Sequence, residues 1–233
     1  MTYDLFLNDI KIGITPKDIK NLHLAVYPPD GEVRVSAPLW MNEDRIKYYI
    51  ISKMGWIRKQ RAQIQAQARE PEREFLNMET HFVWGQPCLL RIHPNSSCNK
   101  VSLDHATLNI YMRGEPVKSG MHTLLQSWYR GLVANAAEKR IEYWRGVFSL
   151  APIDFTVRRM KTRWGSCIRA RNKILLNTSL AKKPRECLDY VVAHELAHFF
   201  IPTHGENFIR FMDKYLPNWQ TTKKLLNSLP LEE

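Results

Sequence analysis

The chain has 233 residues, of which 44% are hydrophobic, so it can bury the core of one large domain or of two small ones. Its 34 lysine and arginine residues outnumber the 23 acidic residues, and the resulting net charge of +11 favours anionic partners such as nucleic acid or acidic protein. No apolar run reaches the length of a membrane span, and the first residues lack the apolar centre of a signal peptide, so we expect a cytoplasmic protein that binds no membrane.

Residues 1–116 are predicted to form a β-rich region with one helix. Apolar residues alternate on both sides of the Asp30-Gly31 turn, which predicts a β-hairpin. Asn42 has the position of a helix N-cap, and the apolar stripe after it indicates a helix that reaches about residue 57. Four further short strands are expected over residues 82–111 because turn residues separate short apolar runs there. No internal repeat is evident in the sequence.

Residues 117–233 are predicted to be mainly helical, with one small hairpin. A long helix is expected over residues 121–147, where apolar residues recur at helical spacing. Residues 153–163 and 174–176 have the composition of two strands that pair as a hairpin beside the next helix. That helix is expected over residues 184–200. The whole chain is therefore predicted to have an α+β fold, and the sequence leaves open whether its two regions share one core.

The segment from His194 to His204 carries the functional prediction. His194 and His198 are four residues apart, and such residues lie on one face of a helix, so both imidazoles can reach one ion. Pro202 disfavours further helix, so the chain turns and His204 can supply a third ligand, which leaves a fourth position open as in catalytic zinc sites. Glu195 is placed to accept a proton from the attacking water. This HExxH arrangement is typical of zinc metallopeptidases.

Hydrolysis of an amide also requires groups around the metal. Three residues are candidates for substrate contact or for stabilising the oxyanion: Arg163, Tyr190 and Tyr215. Three carboxylates are candidates for orienting the imidazoles: Asp189, Glu206 and Asp213. Cys167 is interpreted as a small buried residue, with a role as ligand or nucleophile as the alternative.

Several motifs occur together in this chain. Arg163-Trp164-Gly165-Ser166-Cys167 is followed by Leu176-Asn177 and then by the block from Tyr190 to His204. The Pro-Asp-Gly turn and Ala37-Pro38 lie near its start. This combination resembles the YgjP-like family of metal-dependent hydrolases, which is related to the SprT-like and WLM zinc metallopeptidases. The resemblance covers nearly the whole chain and is densest from residue 155 to residue 219.

The resemblance implies a zincin-like metallopeptidase domain, with its active-site helix beside a small antiparallel sheet. It also implies zinc as the cofactor, a protein or peptide as the substrate, and Glu195 as the catalytic acid–base. The metal ligands that it implies are His194, His198 and His204. The chain departs from the metzincins, which carry a glycine three residues after the second histidine, because Ile201 stands at that position. We therefore do not expect a metzincin.

Two other functions remain open at this level. The first is a basic, nucleic-acid-associated protein with a structural or vestigial metal site, including one that acts on DNA-bound proteins. The second is a regulatory interaction protein with a vestigial site. Glu195 discriminates among them, because a structural zinc needs no general base. An exposed sheet edge beside the active-site helix could bind a peptide as an added strand, and the basic residues at 158–161 could favour acidic substrates.

Overall fold

The computed structural model describes residues 2–27, 30–66 and 73–229, which fall into two units that divide at residue 70. Each unit begins with a four-stranded sheet followed by helix. The boundary expected after residue 116 lies inside the second unit. The reason is that the sheet over residues 80–111 packs into the same hydrophobic core as the long helix that follows it.

The first unit is a sheet with two helices. Its strands are β1 (Tyr3–Leu7), β2 (Ile10–Lys17), β3 (His23–Tyr27) and β4 (Glu32–Pro38). They lie in the order β1-β2-β4-β3, with β2 and β4 parallel and both outer pairs antiparallel, so the predicted hairpin is confirmed as β3 and β4. Helices α1 (Glu43–Ser52) and α2 (Met54–Ala66) follow. Asn42 caps α1, since its Oδ1 accepts a hydrogen bond from the Arg45 N–H.

The second unit opens with a sheet of the same topology. Its strands are β5 (Thr80–Val83), β6 (Gln86–His93), β7 (Lys100–Asp104) and β8 (Thr107–Tyr111). The order is β5-β6-β8-β7, again with the two inner strands parallel and the outer pairs antiparallel. The chain thus contains a structural repeat of two hairpins joined through their second strands. The sequence did not show it, because the shared property is strand connectivity.

Helix α3 (Lys118–Val147) supplies the centre of the second unit. Its buried residues recur every three or four positions, as the predicted helix over 121–147 requires: Met121, Leu125, Tyr129, Val133, Ala137, Ile141 and Trp144. The Tyr129 hydroxyl donates to the Phe82 carbonyl at 3.0 Å, which ties the helix to β5. None of the described helices combines the length and the apolarity that a membrane crossing needs.

A three-stranded sheet lies after α3. Its strands are β9 (Asp154–Arg158), β10 (Gly165–Ile168) and β11 (Lys173–Asn177). The order is β10-β11-β9; β11 pairs in parallel with β9 and antiparallel with β10. The expected antiparallel pairing of the first and last strands was therefore wrong, because β10 forms the hairpin with β11 and the sheet is mixed. As a result, β10 is an edge strand.

Three helices complete the unit, and they confirm the predicted α+β class: α4 (Arg185–Ala197), α5 (Glu206–Tyr215) and α6 (Trp219–Ser228). The buried side chain of Asn177, at the end of β11, anchors the loop between β9 and β10. Its Nδ2 donates to the carbonyls of Met160 and Arg163, both at 2.8 Å, and its Oδ1 accepts from the N–H of Ser179 at 3.1 Å and of Met160 at 3.4 Å. These bonds fix the approach of the chain to β10.

Candidate active site

Helix α4 places the first two histidines. It begins after Pro184 and ends at Ala197, three residues before the predicted end. His198 is the C-cap, yet its φ of −65° and ψ of −14° are still helical, so it remains one turn from His194 on the same face. The Ile201 N–H then donates to the Ala197 carbonyl at 3.0 Å, which closes the last turn before Pro202.

The three histidines converge through their Nε2 atoms. The Nε2 of His194 lies 3.3 Å from that of His198 and 3.0 Å from that of His204. Two nitrogen ligands bound at zinc's usual distance, on a tetrahedral ion, are about 3.3 Å apart. The separations therefore fit a three-histidine metal site, and among the described residues these histidines form the group that could hold an ion.

Neighbouring groups orient the imidazoles. The Nδ1 of His198 lies 3.0 Å from the Ile201 carbonyl, and the Tyr190 hydroxyl lies 3.4 Å from the Nδ1 of His194. An Nδ1–H that donates to a carbonyl leaves the Nε2 lone pair of the same ring free for a metal. Phe208 of α5 is buried against all three rings, at centroid distances of 4.9 to 5.0 Å. No local pattern in the sequence singles out Phe208, because its contact with the histidines depends on how α5 packs against α4.

The electrostatics favour neutral imidazoles. Burial, with smaller contributions from the two neighbouring histidines, lowers the pKa of His194 to about 3. Burial also lowers the pKa of His204. A histidine binds a metal in its neutral form, so the lowered pKa values of His194 and His204 favour the state that an ion requires.

The expected carboxylate partners of the histidines lie elsewhere. Each carboxylate pairs with another group instead: Asp189 accepts from Arg140 and Trp144, Asp213 accepts from Trp219, and Glu206 accepts from Arg210. The expectation was wrong because a backbone carbonyl and a tyrosine hydroxyl occupy the outer nitrogens. Asp189 instead joins α4 to α3, and the Trp219 ring that Asp213 holds is stacked on Tyr190 at 6.3 Å.

Glu195 lies between α4 and the edge strand β10. Its side chain is buried, and the Cys167 N–H donates a hydrogen bond to the carboxylate. The absence of a side chain at Gly165 leaves room for Glu195. A Cβ at this position would lie 2.7 Å from both Cγ and Oε1 of Glu195 and 2.9 Å from Cγ1 of Val191. Burial raises the pKa of Glu195 to about 7, against the opposing effects of Arg163 and of that N–H. The role of Gly165 could not be predicted from the sequence, because it depends on the close approach of β10 to α4.

The other candidate residues are only partly brought to the site. Arg163 is exposed just before β10, and its charge acts on Glu195. Tyr190 is buried behind His194, and burial raises its pKa to about 12, with Glu195 as the second cause. The ring contacts of Tyr215 within the described residues are with Phe148 and Phe211, so it belongs to an aromatic cluster.

Cys167 contributes through its backbone. Burial raises the pKa of its thiol to about 11, and the charge of Glu195 adds to the rise. The thiol is therefore protonated at neutral pH, which disfavours a role as nucleophile or ligand. Its sulfur is also outside the three-histidine group that could hold an ion.

The fold and the site define a class of protein: an α+β chain with a three-histidine centre beside a buried carboxylate. Comparison with protein-family models matches residues 20–229 to the YgjP-like metallopeptidase domain. The chain therefore belongs to the YgjP-like metallopeptidase family, and the resemblance noted in the sequence is confirmed. A search of curated proteins found no match.

Two solved metallopeptidase zymogens are similar to part of the chain. Jannalysin of Methanocaldococcus jannaschii has 20% sequence identity and a TM-score of 0.36, and the match covers 39% of this chain and 86% of that one. Abylysin of Pyrococcus abyssi has 23% identity and a TM-score of 0.35, with 38% and 87% covered.

Proposed function

We propose that this protein is a zinc-dependent peptidase that hydrolyses peptide bonds with Glu195 as its general base. The observation that carries the proposal is the convergence of three Nε2 atoms beside a buried carboxylate at the edge of a sheet. Membership of a metallopeptidase family supports it. A site with three protein ligands leaves a coordination position open, as catalysis requires and a closed structural site does not.

Each residue of the site has a role in the proposed reaction. His194, His198 and His204 would hold the zinc, which, when bound, supplies a Lewis acid for the scissile carbonyl and for the attacking water. Glu195 accepts the proton of that water and delivers it to the leaving amine. The Cys167 N–H holds the carboxylate in position for both transfers. Tyr190 acts on His194 from behind, so we assign it to ligand orientation and not to the oxyanion.

Strand β10 supplies the proposed substrate-binding edge. It pairs with β11 on one side only, and Gly165 and Cys167 on this strand both contact Glu195. An extended peptide that added to the free edge would form main-chain hydrogen bonds with β10 and would bring one of its own peptide bonds beside the carboxylate. This mode of binding suits peptides of many sequences, because the hydrogen bonds involve backbone atoms.

Metal content tests the ligand assignment. Elemental mass spectrometry of the protein purified without added metal should find about one zinc per chain in the wild type and none in His198→Ala. Arg171→Ala, an exposed change outside the site, serves as the control and should retain the wild-type content. A wild-type protein that contains no metal and takes up none on reconstitution would contradict the proposal.

Glu195→Gln tests the catalytic assignment separately. The amide has nearly the same shape but cannot accept the proton, so turnover of a quenched fluorescent peptide should fall by at least about 100-fold while zinc content is unchanged. Turnover that survives in the zinc-loaded variant would show that another group is the base. A loss of zinc together with turnover would show that Glu195 supports the site structurally.

A further inference from the structure

A basic surface surrounds the three-stranded sheet beside the site. Residues 155–185 contain ten lysines and arginines and no aspartate or glutamate, although acidic residues number 23 in the whole chain. Seven of these basic residues are exposed: Arg158, Arg159, Lys161, Arg163, Arg169, Arg171 and Arg185. A concentration of one sign of charge next to a catalytic cleft attracts substrates of the opposite sign.

Two of these arginines lie at the two ends of β10. Arg163 lies two residues before the first residue of the strand, Gly165, and Arg169 follows the strand directly. Both are exposed, and within the described part of the chain neither guanidinium takes part in an ion pair. The Arg163 carbonyl is fixed by the buried Asn177 amide, so the backbone that carries this side chain is held in place.

Each arginine lies two residues from a residue of β10 that contacts Glu195. Gly165, two residues after Arg163, lies against the Glu195 side chain, since a Cβ there would be 2.7 Å from its Oε1. Burial and the Glu195 charge raise the pKa of Cys167, and the Arg169 guanidinium opposes them. Because Glu195 and Cys167 are in contact at the centre of the edge, each arginine flanks the position of the scissile bond from one side.

We propose that Arg163 and Arg169 select extended peptides that carry acidic side chains on both sides of the scissile bond. This inference rests on the proposed peptidase function and names its substrate class. Four residues of strand span roughly 13 Å, so the acidic positions lie about two or three residues from the scissile bond in each direction. A guanidinium binds a carboxylate through two parallel hydrogen bonds, which gives the arginines geometric preference for aspartate and glutamate.

The observations favour a peptide over a nucleic acid. The two arginines flank an edge strand, and the backbone of an edge strand can pair with the backbone of an extended peptide. A phosphodiester chain offers acceptors only and cannot form that ladder. Nucleic acid binding therefore becomes the alternative outcome of the test.

The test uses zinc-loaded full-length protein and a library of quenched ten-residue peptides. Peptides carry glutamate, glutamine or lysine at the second and third positions on each side of the scissile bond. The wild type should cleave the doubly acidic peptides with a kcat/KM about tenfold above that of their glutamine counterparts, since each exposed pair contributes a few-fold. Arg163→Gln and Arg169→Gln should each abolish the preference on one side, and Arg171→Gln, two residues further along, should leave it unchanged.

The outcomes are distinguishable. The inference would be overturned if the ratio of kcat/KM for acidic to glutamine peptides stayed at its wild-type value in both variants. This holds even if Arg163→Gln slowed the cleavage of every peptide equally, which is the effect expected from the loss of an oxyanion contact. Cleavage without acidic preference in the wild type would overturn it while the peptidase function stood. No cleavage of any peptide would overturn both. Binding of a single-stranded thymidine 20-mer is measured at physiological salt. If the wild type binds it, both variants bind it more weakly, and peptide selectivity is unchanged in the variants, the surface is assigned to nucleic acid.

Discussion

Replacing Gly165 by alanine tests whether the edge strand positions the carboxylate of Glu195, the proposed general base. The added Cβ would lie 2.7 Å from Cγ and Oε1 of Glu195, so either Glu195 or β10 must move by about 0.7 Å to reach ordinary contact at 3.4 Å. The same Cβ would also lie 2.9 Å from Cγ1 of Val191, so it would be too close to a second side chain of α4. A misplacement of about 1 Å at a reacting group costs about 100-fold in rate, so we expect kcat/KM to fall about 100-fold.

Peptide hydrolysis, zinc content and urea unfolding measure this prediction together. Zinc should remain at about one per chain because no ligand is touched, while overpacking should lower the free energy of unfolding by about 1–3 kcal/mol. Gly131→Ala on α3 is the matched control: its Cβ would meet nothing within 4 Å, and alanine should stabilise the helix by about 0.5–1 kcal/mol without changing kcat/KM. Wild-type kcat/KM in a folded, zinc-loaded Gly165→Ala protein would refute the reasoning.

Three further predictions follow from buried polar groups. Asn177→Ala removes four hydrogen bonds to backbone and should lower the free energy of unfolding by about 3 kcal/mol in urea; a loss below about 1 kcal/mol would contradict the anchoring role. Tyr190→Phe should weaken zinc binding about tenfold in chelator competition, and unchanged affinity would show that the contact with His194 is passive. Burial lowers the pKa of His81 to about 4 from 6.5, so the unfolded chain takes up its proton first as pH falls. Between pH 7 and pH 4 the wild type should therefore lose about 3 kcal/mol more stability than His81→Leu, and parallel pH profiles would contradict this.

The convergence of the three histidines could be predicted from the sequence because its geometry is local. His194 and His198 lie on one helical turn, and a proline shortly after them ends the helix, so short-range rules bring the third histidine close. The helix ended three residues earlier than predicted, but the C-cap conformation at His198 preserved the spacing. The α+β class was predictable for the same reason, since apolar periodicity reports each element separately.

What surrounds the cluster depends on contacts distant in sequence. The pairing of β11 in parallel with β9 brings together residues nearly twenty positions apart, and the interposed β10 has only four residues, too few for periodicity to reveal. The carboxylates expected beside the histidines were chosen by residue type alone, whereas a carbonyl and a tyrosine hydroxyl fill that role. The repeat of hairpin pairs was likewise invisible, because different side chains build the same strand order.

The contact between β10 and Glu195 explains why residue type was a poor guide there. The strand holds the carboxylate through a backbone N–H at Cys167 and through a missing side chain at Gly165, and neither property depends on a reactive group. The thiol of Cys167 should therefore be dispensable. Cys167→Ala keeps the N–H and is expected to retain most of the wild-type kcat/KM and all of the zinc, in contrast to Gly165→Ala on the same strand. If Cys167→Ala instead lost activity as severely as Gly165→Ala, the thiol itself would have a role and the backbone account of this edge would fail.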